Sequence, residues 1–87
     1  MYRVKVRTVG VGQHPSEAVV SVTTADGKQE QLIVDKRSLE GRGSLRVGYP
    51  LRSEDDRYLV ELPRETMRGS WRIWVKRDDL EPEEKAA

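Results

Sequence analysis

Eighty-seven residues without a cysteine allow one domain and exclude disulfides, thiolate metal sites and thiol chemistry. Charged residues make up 36 % of the chain, yet the net charge is only +1. Residues 1–77 carry +5 and residues 78–87 hold five acids against one base, so a mildly basic body precedes an acidic end, well short of a strong nucleic-acid signature. A domain this small buries roughly 60 % of its unfolded surface and needs an economical core. No stretch approaches a membrane span, and the alternating start Met1-Tyr2-Arg3-Val4-Lys5-Val6-Arg7 lacks the apolar run of a signal peptide. A cytoplasmic setting is the expectation.

The first predicted strand covers residues 2–9. Tyr2, Val4, Val6 and Thr8 share one face, and Arg3, Lys5 and Arg7 the other. Such a basic row reads first as a solvated or aggregation-resistant edge and second as a ligand-facing stripe. Gly10, Gly12, Pro15 and Ser16 mark a loop, and the lone Gly10-Val11-Gly12 is too short for a dinucleotide fingerprint.

Residues 17–24 and 28–35 form the clearest hairpin. A two-residue turn would divide the apolar residues between faces. A three-residue loop, Ala25-Asp26-Gly27 with Gly27 left-handed, pairs Val20 with Leu32 and Ala18 with Val34. That register segregates the faces and leaves Val19 and Ile33 paired on the polar side. Residues 36–43 read as a polar connection anchored by Leu39. Residues 44–51 read as a weaker strand with Leu45 and Val47 inward, bent at Gly48-Tyr49-Pro50.

The last hairpin joins residues 57–62 to 70–77. Leu62 opposes Trp71, Val60 opposes Ile73 and Tyr58 opposes Val75 on the inner face; on the outer face Leu59 opposes Trp74, Glu61 opposes Arg72 and Arg57 opposes Lys76. Pro63 and Gly69 frame a predicted helical curl over residues 64–68. Trp71 is therefore expected in the core and Trp74 outside it, either on a contact surface or folded over the barrel end as part of a second small core. Residues 78–80 should close an edge with one last turn. Residues 81–87 have the composition of a disordered acidic tail. No internal repeat and no amphipathic helix is visible.

These elements predict an all-β fold: a single domain over residues 1–80, built as a small, partly open antiparallel barrel of about six short strands, SH3-like in architecture only, with a two-layer sandwich second. Enzyme chemistry has little to stand on, and no cofactor or metal is expected. His14 is the only histidine and sits in a glycine-rich loop; Glu54, Asp55 and Asp56 lack the spacing of a calcium loop; Ser44, Ser53 and Ser70 lack a nucleophile elbow. What remains is a surface. Trp74, Leu59, Arg72, Lys76, Val19 and Ile33 fall on outer faces and make a candidate contact site for a protein partner or a second copy. The alternative is a nucleic-acid surface of Arg3, Lys5, Arg7, Arg72, Trp74 and Lys76, in which an aromatic ring stacks a base and cations hold phosphate.

Overall fold

The computed structural model describes residues 2–40 and 43–82. The strands are β1 (Tyr2–Lys5), β2 (Arg7–Val11), β3 (Glu17–Thr23), β4 (Gln29–Asp35), β5 (Leu39–Glu40), β6 (Ser44–Val47), β7 (Arg52–Glu54), β8 (Arg57–Glu61), β9 (Arg72–Lys76) and β10 (Leu80–Pro82). One 3₁₀ turn, Lys36–Ser38, precedes β5 and another, Arg77–Asp79, precedes β10. The expected all-β class is observed, but with ten strands among the described residues instead of about six. They lie in three antiparallel sheets, ordered β10-β1-β6-β5, β2-β3-β4 and β7-β8-β9, and no closed barrel forms. The count rises in part because the first predicted strand breaks at Val6, whose N–H turns to the Gly43 carbonyl at 2.9 Å. The fourth ends early at Val47, and β7 forms at Arg52–Glu54, beyond its predicted range. Each 3₁₀ turn then adds a short strand of its own.

The register shows a repeat that the sequence hides. The order of four strands, a 3₁₀ turn and a fifth strand occurs twice, related by about 41 residues. Val4 pairs with Leu45, its own counterpart, so a local pseudo-twofold axis passes through that pair. Leu80 pairs with Val4 as Leu39 pairs with Leu45, and Glu81 with Arg3 as Glu40 with Ser44. The buried core follows the same rule: Val4, Val6, Val20, Val22, Leu32 and Val34 match Leu45, Val47, Val60, Leu62, Ile73 and Val75, and partly buried Leu39 matches Leu80. Four of these seven pairs are identical, but they are single apolar positions separated by unlike surface residues and offset by 40 or 41, which is why reading residue by residue finds no repeat.

The halves are interlocked. β5 pairs only with β6 and β10 only with β1, so each half has its last strand on the other half's first. The hairpin tips reach across as well: Ala25 donates its N–H to the Trp74 carbonyl, and Met67 to the Gln31 carbonyl, each at 2.8 Å. One apolar cluster joins both sets of side chains. Burying a valine or leucine of this kind contributes roughly 1.5–3 kcal/mol, and the cluster that buries them draws on both halves.

Both hairpin registers are as predicted. Val20 opposes Leu32 and Val19 opposes Ile33; Val60 opposes Ile73 and Leu59 opposes Trp74. Gly27 has φ +86° and Gly69 φ +89°, a region where a side chain is disfavoured. The two turns are built alike. In residues 24–28 the Thr24 N–H donates to the Lys28 carbonyl, the Gly27 N–H to the Thr24 carbonyl, and the Lys28 N–H to Thr24 Oγ1. In residues 66–70 Thr66, Gly69 and Ser70 repeat all three bonds. The helical curl expected over residues 64–68 is absent, because this Thr-x-x-Gly turn uses the same backbone groups.

Two further expectations are corrected. Trp71 is 52 % exposed although its position in the alternation is inward. It lies one residue before β9, at the turn end of the hairpin, where its backbone carbonyl accepts from the N–H of buried Leu62. Glu81 and Pro82 are strand residues opposite Arg3 and Tyr2, so ordered pairing runs past residue 80; residues 83–87 of the expected tail lie outside the described residues. Among the described residues no helix is long and apolar enough to cross a membrane.

Candidate functional site

The outer face of β8 and β9 brings four of the expected contact residues together. Leu59 and Trp74 are cross-strand partners, and Arg72 and Lys76 flank Trp74 at two residues' distance. Val19 and Ile33 form the corresponding pair on β3 and β4, in a separate sheet, so they repeat the apolar pair without extending it. All four apolar residues are half-buried. The Arg57 guanidinium lies 4.6 Å from the Trp74 ring centroid, and Ala25 abuts the strand through its backbone bond. Arg72 Nε is 3.3 Å from Glu61 Oε2, and Arg57 is 3.2 Å from Glu54. Much of this face is thus occupied by the protein itself.

The six residues of the alternative surface are dispersed. Arg3 pairs with Glu81 at 3.5 Å and Arg72 with Glu61; Lys5 and Arg7 belong to the first half, while Trp74 and Lys76 belong to the second. The ring that would stack a base already carries a guanidinium on its face.

Two further clefts occupy corresponding places in the two halves. The first, about 240 Å³, is lined by Lys5, Val6, Arg7, Ser21, Thr23, Gln29 and Asp79. The second, about 460 Å³, includes Arg46, Val47, Gly48, Glu61, Leu62 and Pro63, with Tyr49 and Leu51. By chain position Lys5 answers to Arg46, Val6 to Val47, Arg7 to Gly48, Ser21 to Glu61 and Thr23 to Pro63. Each lies where the first strand of a half breaks and passes over the third. The scaffold is shared, and the lining chemistry is opposite.

The first cleft is polar. Ser21, 3 % exposed, donates to Gln29 Oε1 at 2.7 Å, and Gln29 Nε2 donates to Thr23 Oγ1 at 2.8 Å. The second cleft is largely apolar. Its side chains Tyr49 and Leu51 are 73 % and 46 % exposed, and Tyr49 is braced by an edge-on contact with Tyr2 at 5.6 Å between centroids. Leu51 and Leu62 are tied by backbone bonds to Leu59 and Trp71. Residue-by-residue reading of the sequence missed both clefts. Tyr49 and Leu51 looked like a strand break, and Ser21, Thr23 and Gln29 like a plain polar face.

Two carboxylates are shifted by the turns they sit in. Asp26 is held below the usual carboxylate range chiefly by the Thr24 hydroxyl, and Asp35 by hydrogen bonds from Arg37. Among the described residues no group of three or more histidine or acidic side chains is arranged to hold a metal ion. No family model, curated protein or solved structure matches this chain.

Proposed function

We propose that the chain is a non-enzymatic binding module that holds an apolar segment of a protein partner in the cleft of its second half. The observation that carries this reading is the pairing of a concave apolar floor, Val47, Leu62 and Pro63, with two large exposed side chains beside it, Tyr49 and Leu51. Exposed apolar groups around a concavity with a polar rim are the usual mark of a contact site. Arg46 and Glu61 supply that rim. The protein reading is favoured over nucleic acid because Arg57 covers Trp74 and Arg72 is paired with Glu61. An SH3-like, partly open barrel is a proposal of architecture alone, and the binding argument does not rest on it. A cytoplasmic location fits a chain without cysteine and belongs to the same proposal.

Selection of a displayed random-peptide library on the intact protein tests this reading. Enriched peptides should carry aromatic or aliphatic side chains, and Tyr49→Ser or Leu51→Ser should abolish their binding while Arg52→Gln leaves it intact. Enrichment of peptides whose binding survives both serine variants contradicts the assignment. Sedimentation at two protein concentrations identifies self-association: a doubled mass that Leu51→Ser returns to monomer would make a second copy the occupant.

A further inference from the structure

We infer that the first-half cleft is a binding site for a phosphate monoester or a free phosphate ion, independent of the apolar cleft. The reason is a surplus of hydrogen-bond donors. The Ser21 proton is committed to Gln29 Oε1, and one Gln29 N–H is committed to Thr23 Oγ1. That arrangement leaves the Thr23 hydroxyl proton and the second Gln29 N–H to donate. Lys5 and Arg7 line the same space, and neither takes part in any ion pair formed among the described residues. Their freedom is informative in this molecule, where Arg3, Arg37, Arg46, Arg57, Arg64, Arg68 and Arg72 are each paired with a carboxylate.

Four donor side chains, two of them cationic, therefore converge on about 240 Å³ of space, with Asp79 as the one carboxylate in the lining. A dianion with three terminal oxygens satisfies such a set through charge-assisted hydrogen bonds. No aromatic residue lines the cleft, so a nucleobase has nothing to stack on, which favours the monoester over a nucleic-acid strand. The second-half cleft serves as an internal control. There Arg46 keeps a cation in the place of Lys5, but Gly48 stands for Arg7, Glu61 for Ser21 and Pro63 for Thr23, so the second cation and the hydroxyl donor are gone and a carboxylate is added.

Amide-resolved NMR titration of the full chain with inorganic phosphate, against sodium chloride of matched ionic strength, tests the site. The expected result is saturable shifts at Lys5, Arg7, Ser21, Thr23, Gln29 and Asp79, with the second-half cleft silent. Lys5→Gln and Arg7→Gln should each weaken binding about tenfold, the worth of one charge-assisted hydrogen bond. Asp79→Asn should tighten it by removing the like charge, a gain that a merely destabilised protein could not show. The spectra themselves report whether each variant is folded. Shifts that do not saturate, that match chloride, or that follow exposed Lys36, Arg52 and Lys76 instead overturn the inference. A single-stranded oligonucleotide without terminal phosphates that binds more tightly through the same residues overturns the monoester assignment.

Discussion

The two halves of this chain share a scaffold and differ in what they present. Their buried positions correspond almost one for one, and both turns use Thr-x-x-Gly with the same three hydrogen bonds. Their clefts, by contrast, hold Lys5, Arg7, Ser21 and Thr23 on one side and Arg46, Gly48, Glu61 and Pro63 on the other. Interior positions tolerate only apolar exchanges of similar volume, whereas cleft positions such as Lys5, Arg7, Gly48 and Pro63 are exposed and freer to change. A duplicated scaffold can therefore carry two unlike surfaces on one core.

The strongest way to break this comparison is to truncate equivalent core residues. Leu32→Ala and Ile73→Ala should each destabilise by about 2–5 kcal/mol, and each should leave one cooperative unfolding transition in urea, because the cluster is common to both halves. Two separated transitions in either variant would mean that the halves are independent. Next come the turns. Gly27→Ala and Gly69→Ala should each cost about 1 kcal/mol, since both glycines sit at positive φ. A neutral result at one of them would show that the turns differ in spite of their matching bonds.

Smaller effects are expected at the tryptophans. Trp71→Ala should cost under about 1 kcal/mol, as for a surface residue. Trp74→Ala should cost more, because it removes both the Leu59 contact and the ring beneath Arg57. Iodide should quench Trp71 and spare Trp74; the reverse would return Trp71 to the core. The smallest effect distinguishes the turns by pH. Asp26 is lowered in the folded state, so its contribution is present above the ordinary carboxylate value and is lost as pH falls through its depressed one. Arg68 occupies the corresponding place in residues 66–70, so acid should shift the amides of residues 24–28 and leave Ser70 still bonded to Thr66.

Hairpin registers were legible in the sequence because alternation and turn length constrain each other. Only the three-residue loop at Ala25-Asp26-Gly27 put Val20, Val22, Leu32 and Val34 on one face. The same rule misplaced Trp71, since period-two patterning holds only within a strand and β9 begins one residue later, at Arg72. The repeat was illegible for a different reason. Val20 and Val60 correspond at a spacing of 40 and Leu32 and Ile73 at 41, with Val20 facing Leu32 and Val60 facing Ile73 across their own hairpins, and such small offsets blur any fixed spacing. Of the expected contact residues, Leu59 and Trp74 were placed opposite each other correctly. Arg57, which covers the ring, was read only as the partner of Lys76, because a stacking contact leaves no mark in the alternation. The clefts depend on where β1 and β6 break, and that is decided by the pairing of the two halves with each other.

Residues 1–42 and 43–87 prepared as separate peptides test the interlocking of the halves directly. Each peptide alone should lack folded monomer by circular dichroism and sedimentation, because β5 and β10 have partners only in the other half. Their equimolar mixture should recover the β-sheet spectrum and the mass of the joined chain. A stable folded monomer of either peptide would contradict the shared core and the exchange of last strands.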